Sequence, residues 1–89
     1  MRLGIVTGQV VSTKKDDRLV GTKLLITQPV KPDGTPEGEP IVAVDTVGAG
    51  VGETVIFALG SVASRAVRDP AAPVDAAIVG IVDQIDVRE

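Results

Sequence analysis

Cysteine, histidine, tryptophan and tyrosine are all missing from the chain, and Phe57 is its one aromatic residue. Without cysteine there is no disulfide framework, and the lack fits a reducing compartment. Without histidine, cysteine or tyrosine the usual general acids, bases and nucleophiles are absent, leaving serine, threonine, lysine and carboxylates. The commonest zinc ligands go with them, and no DxDxDG-like loop offers calcium a ring of carboxylates. The expectation is no catalytic residue, no metal site and no cofactor. No apolar run approaches the roughly 18 residues of a membrane span. The opening MRLGIVTGQVV lacks both a long apolar core and a small-residue cleavage site. A soluble, cytoplasmic protein without a membrane partner is expected. Blocks of one charge are lacking too: 12 acidic and 9 basic residues give a net −3 and are spread along the chain. No field of one sign is available to attract nucleic acid.

What the chain has is β-branched residues, 16 Val and 7 Ile, which are stiff at χ1 and suit a pleated, half-buried surface. A chain of 89 residues has room for one domain, taken as residues 1–89. A domain this small buries only roughly 60% of its unfolded surface. It usually needs disulfides, a metal or oligomerisation. The first is excluded and the second weakened, so self-association is the remaining route.

Along the chain, residues 2–12 read as a first strand, with Gly4 and Gly8 on one face marking a strong bend or close backbone approach. Residues 13–21 carry Lys14, Lys15, Asp16, Asp17 and Arg18 and read as a solvated loop. Residues 23–28 form a second strand, stopped by Pro29. Residues 31–40 are a turn-rich, exposed excursion around Pro32, Asp33 and Gly34. Third and fourth strands follow at 41–47 and 54–59, the latter apolar on both faces, so that a second chain has to cover one of them. Ser61 is placed to N-cap a short helix over residues 62–68, ended by Asp69, Pro70 and Pro73. Residues 75–87 return to strand. The fold class read from this order is all-β, a small five-stranded barrel with one short helix between strands 4 and 5.

Three features bear on chemistry. Asp45 and Asp83 interrupt apolar strands; each reads as an acceptor for a nearby turn or an interface pair, with a raised-pKa base as the alternative. The run Gly48, Ala49, Gly50, Val51, Gly52 superficially resembles a phosphate loop. The dinucleotide fingerprint, however, needs a third glycine where Glu53 stands, and a helix after it. A strand pattern follows, which favours a tight turn. Gly60 and Ser61 open a helix that could hold an anion near Arg65, with an ordinary cap as the plainer reading. A barrel of five strands also raises the nucleic-acid-binding OB-fold, against which stand the single phenylalanine and the negative charge.

Taken in order, the segments MRLGIVTGQVVST, GTKLLITQ (21–28), AVDTVGAGVGETV (43–55), GS (60–61) and PVDAAIVGIVD (73–83) resemble the EutN/CcmL family of bacterial microcompartment vertex proteins over nearly the whole chain. The resemblance implies an OB-like barrel that forms homopentamers and caps the vertices of a shell tiled mainly by hexameric proteins. It implies no catalysis, no cofactor and no nucleic-acid partner, and a place in the compartment shell within the cytoplasm. It also implies that Gly48, Ala49, Gly50 and Gly52, with Gly60 and Ser61, are interface or axis turns. Three positions depart from the family pattern. Thr54 stands where many relatives have an aromatic residue, Arg65 is shifted by one because Ser64 precedes it, and the sequence runs only to Glu89. A single-stranded nucleic-acid module of OB type is the alternative function.

Overall fold

Runs rich in valine, isoleucine, leucine and alanine build five strands in the computed structural model, which describes residues 1–13, 15–67, 71 and 73–88. They are β1 (Arg2–Val10), β2 (Lys23–Val30), β3 (Ile41–Asp45), β4 (Thr54–Leu59) and β5 (Ala76–Ile81). The strands close into a barrel in the order β1-β2-β3-β5-β4. All pairings are antiparallel except β3 with β5. This is the all-β, five-stranded barrel expected from the sequence.

One parity of each strand fills the interior: Val6, Leu25, Ala43, Val55, Phe57, Ala76 and Ile78, with Ala49 from the turn between β3 and β4. Gly4 explains how a narrow barrel accommodates the Phe57 ring. A Cβ at residue 4 would lie 2.6 Å from Thr27 Cγ2, 3.0 Å from Phe57 Cε1 and 3.1 Å from the Gln28 carbonyl oxygen. The close approach inferred for Gly4 is therefore real, and a register shift between Val6 and Gly8 adds the bend.

A second apolar cluster lies outside the barrel, where Val44, Ala58 and Ala77 pack under Ala63 and Val74. The chain thus covers part of the outer face of β4 itself, and a second chain is not needed there. What stays open around it is Leu59, Val62 and Ile81, at 42%, 59% and 37% exposure.

The boundaries shift for identifiable reasons. β2 runs through Pro29 to Val30 instead of stopping at Pro29. The Pro29 carbonyl accepts from the Glu37 amide at 2.9 Å, so its backbone faces the 36–37 loop and the missing N–H removes no bond to β1. β3 ends at Asp45, not at 47, because its carboxylate draws the following amides into a turn. β5 ends at Ile81, not at 87, since β3 has already ended and β4 begins at Thr54, leaving no neighbour among the described residues to continue the ladder. The helix between β4 and β5 is a 3₁₀ helix, Gly60–Ala66, two residues earlier than the sequence places it. Ser61 lies inside it and not at its N-cap; Leu59 occupies that position with no side-chain cap bond. The expected stop at Asp69 and Pro70 lies outside the described residues.

The 31–40 excursion is exposed as expected, and Gly34, at φ 89°, closes its first turn by donating to the Lys31 carbonyl at 2.8 Å. The charged loop before β2 is not wholly irregular: a 3₁₀ turn at Asp17–Leu19 is capped by Asp16, which accepts from the Arg18 amide, Nε and Nη2 at 2.9 Å each. Those bonds pull the Asp16 carboxyl down from 3.8 to about 2. The folded-state value lies below the unfolded one, so the cap contributes fully above the unfolded value of 3.8 and is lost as pH falls through about 2.

Candidate functional site

The turn between β3 and β4 plugs one end of the barrel, and two carboxylates set its shape. Asp45 Oδ1 accepts from the amides of Val47 (3.1 Å) and Ala49 (3.2 Å), and Oδ2 from those of Gly48 and Ala49 (3.1 Å each). Lys23, its register partner on β2, places Nζ 3.4 Å from Oδ2 and donates to the Ala49 carbonyl at 2.5 Å. Glu53 Oε1 accepts from the Gly50 amide at 2.7 Å. Gly48 and Gly52 take φ of 81° and 91°, a region costly for residues with a Cβ, so both glycines are required by the turn itself. The turn is fastened to β1, because Val6 donates to the Glu53 carbonyl (3.0 Å) and accepts from the Gly52 amide (2.8 Å).

This arrangement decides two readings left open by the sequence. A phosphate loop aims its amides at a ligand, whereas here the amides of residues 47–50 are taken by the chain's own carboxylates. Asp45, its side chain only 4% exposed, is a turn acceptor and not an available base. Replacing Asp45 with alanine is expected to cost about 2–3 kcal/mol, since bonds to a charged acceptor contribute roughly 1.5–3 kcal/mol each but freed amides regain water. Urea unfolding should show that loss. Lys23→Ala should cost about 1 kcal/mol or less, because the Lys23 side chain is 38% exposed and remains solvated.

Gly60 and Ser61 lie just past the other end of β4, Gly60 about 20 Å from Thr54 at the usual rise of a strand. The structure therefore keeps the two groups of sequence-predicted positions apart. Gly60 has φ 71°, its amide donates to the Asp75 carbonyl at 2.8 Å, and the Ser61 carbonyl accepts from Ser64 Oγ at 2.8 Å. A Cβ added at Gly48, Gly52 or Gly60 would meet nothing within 4 Å, so these glycines answer to backbone conformation and leave open surface around them. Val51, between two glycines, is 66% exposed. Asp83 is exposed and does not interrupt a buried strand, because β5 has already ended. The sequence reading missed Lys23 and Glu53 as partners of the plug; their acid–base complementarity to Asp45 and the glycine amides was the available signal. Phe57, the one aromatic, is fully buried and offers no stacking surface.

With this geometry in view, the comparisons with known proteins are uniform. Residues 1–83 match the family profile described as ethanolamine utilisation protein EutN/carboxysome. The chain is 42% identical over 85 residues to the bacterial microcompartment shell vertex protein EutN of Escherichia coli K12, covering 96% of this chain and 90% of that one. It is 41% identical over 87 residues to the carboxysome shell vertex protein CcmL of Gloeobacter violaceus, covering 98% and 87%. The solved GrpN pentameric microcompartment shell protein of Rhodospirillum rubrum superposes with a TM-score of 0.90 at 46% identity, covering 99% of this chain and 100% of that one. From its glycine-built plug to its barrel order, the chain belongs to the EutN/CcmL family.

Proposed function

We propose that this protein is a structural shell subunit, a homopentamer that closes the vertices of a bacterial microcompartment in the cytoplasm, alongside hexameric shell proteins. The observation that carries the reading is the end-to-end superposition on a solved shell protein described as pentameric, with 46% identity and essentially complete coverage of both chains. The site supports it, because the amides of residues 47–50 are taken by the chain's own carboxylates and so are not free to hold a substrate. All 89 residues serve this one role as a single domain. Gly48, Ala49, Gly50 and Gly52, and at the far end of β4 Gly60 and Ser61, are assigned to subunit contacts or to the fivefold axis. There the open space around Gly48, Gly52 and Gly60 admits a neighbouring backbone. Deleting the gene from a host with no substitute vertex protein should leave elongated or unclosed compartments under the electron microscope. Normally closed polyhedra in that strain would refute the vertex role.

A further inference from the structure

β1 outlasts the strand beside it. Toward β4 it pairs through Arg2, Leu3, Gly4 and Ile5, and Val6 bonds Gly52 and Glu53. Past that point no strand lies on this side of β1 among the described residues. Residues 7–11 therefore present an open backbone edge, with Thr7 and Gln9 exposed and Val11 85% exposed.

A second unpaired segment leaves the same end of the barrel, because β1 and β5 are both antiparallel to β4 and so run in one direction. The Val82 amide donates to the Thr54 carbonyl at 2.8 Å; beyond it, residues 83–88 make no main-chain hydrogen bond among the described residues. Ile85 and Val87 share one parity and are 41% and 64% exposed. Asp86 and Arg88 share the other and pair with each other at 3.1 Å. β-branched residues alternating with polar ones are strand chemistry, here without a ladder. The two unpaired pieces are separated within one chain, since Gly52 and Glu53 hold β1 on one side of the plug and Thr54 holds Val82 on the other.

A closed ring of identical subunits needs two different patches per subunit that complement one another. An open strand edge and an unpaired extended segment are such a pair, because each supplies the main-chain donors and acceptors the other lacks. We propose that residues 83–88 of each subunit add as a further strand to the residue 7–11 edge of β1 in the next copy, so that the ring closes by strand addition. The proposal rests on the homopentamer reading above and deepens it.

The chain contains no cysteine, so introduced pairs report cleanly. Gln9→Cys or Val11→Cys is combined with Ile85→Cys or Val87→Cys, and the oxidised proteins are run denatured without reductant. At least one of these combinations should give a covalent ladder reaching five chains that collapses on reduction. Monomer bands alone from all of them, in protein whose native mass is pentameric, would overturn strand addition and leave the pentamer intact. A native monomer for the unaltered chain would overturn both. Truncation after Val82 is the independent check. It should raise the concentration needed for assembly at least tenfold while circular dichroism and thermal unfolding of the barrel persist; assembly equal to that of the full chain would contradict the proposal.

Discussion

Replacing Phe57 with alanine is expected to remove about 3–5 kcal/mol of stability, the usual cost of deleting a ring from a closed core. Phe57 is fully buried and is the largest side chain inside the barrel, packed among Val6, Leu25, Val55 and Ile78. No second aromatic residue exists to move into the gap. Apart from Leu25 the other interior residues are β-branched or small, with few rotamers that could swing inward. Domains of this size have a total stability near 5–15 kcal/mol. The variant should therefore melt at least about 12 °C lower, at roughly 4 °C or more per kcal/mol. Phe57→Leu should lose only about 1–2 kcal/mol because most of the volume is kept. Differential scanning calorimetry of both variants at one protein concentration decides the matter, and equal melting temperatures would show that the ring does not fill the barrel.

The second large effect runs the other way, by overfilling. Gly4→Val is expected to destabilise by about 3 kcal/mol, at the upper end of the usual 1–3 kcal/mol for inserted methyl groups. Even the first added carbon meets Thr27 Cγ2 at 2.6 Å, and Thr27 is buried, β-branched and held in β2. The Gln28 carbonyl at 3.1 Å is backbone and cannot swing aside. Gly8 provides the comparison, since a Cβ there meets first the Ile26 Cδ1 methyl at 3.3 Å, the tip of a side chain that can yield. Gly8→Ala should therefore lose about 1 kcal/mol or less, consistent with a glycine-to-alanine gain offsetting a mild contact. A Gly4→Val protein that unfolds at the same urea concentration as the parent would contradict the packing described for the barrel.

Much of this was legible in the sequence because it rests on local chemistry. Runs rich in β-branched residues, bounded by glycine, proline and charged turns, placed all five strands, and Gly4 announced a close approach that the Phe57 ring explains. Asp45 was readable as a turn acceptor because a lone carboxylate before a glycine run has amides within reach. What was not legible depends on who the neighbours are. Pro29 ends a strand in a local reading, yet its carbonyl turns to Glu37 and not to β1, so β2 continues. Residues 83–87 carry a strand pattern but have no partner strand among the described residues, and pattern alone does not reveal that. The outer face of β4 looked unprotected because the cover over Ala58 comes from Ala63 and Val74, brought there by the 3₁₀ helix and the segment after it. The glycine turns could be located but not related to each other, since only the barrel shows that they occupy opposite ends of β4.

The central claim is that the chain works as a ring of five, and native mass spectrometry of the purified protein at micromolar concentration tests it most directly. The account predicts one dominant species at about five times the 9.1 kDa chain mass, persisting on dilution well below that concentration. A stable monomer or dimer as the only species would contradict it.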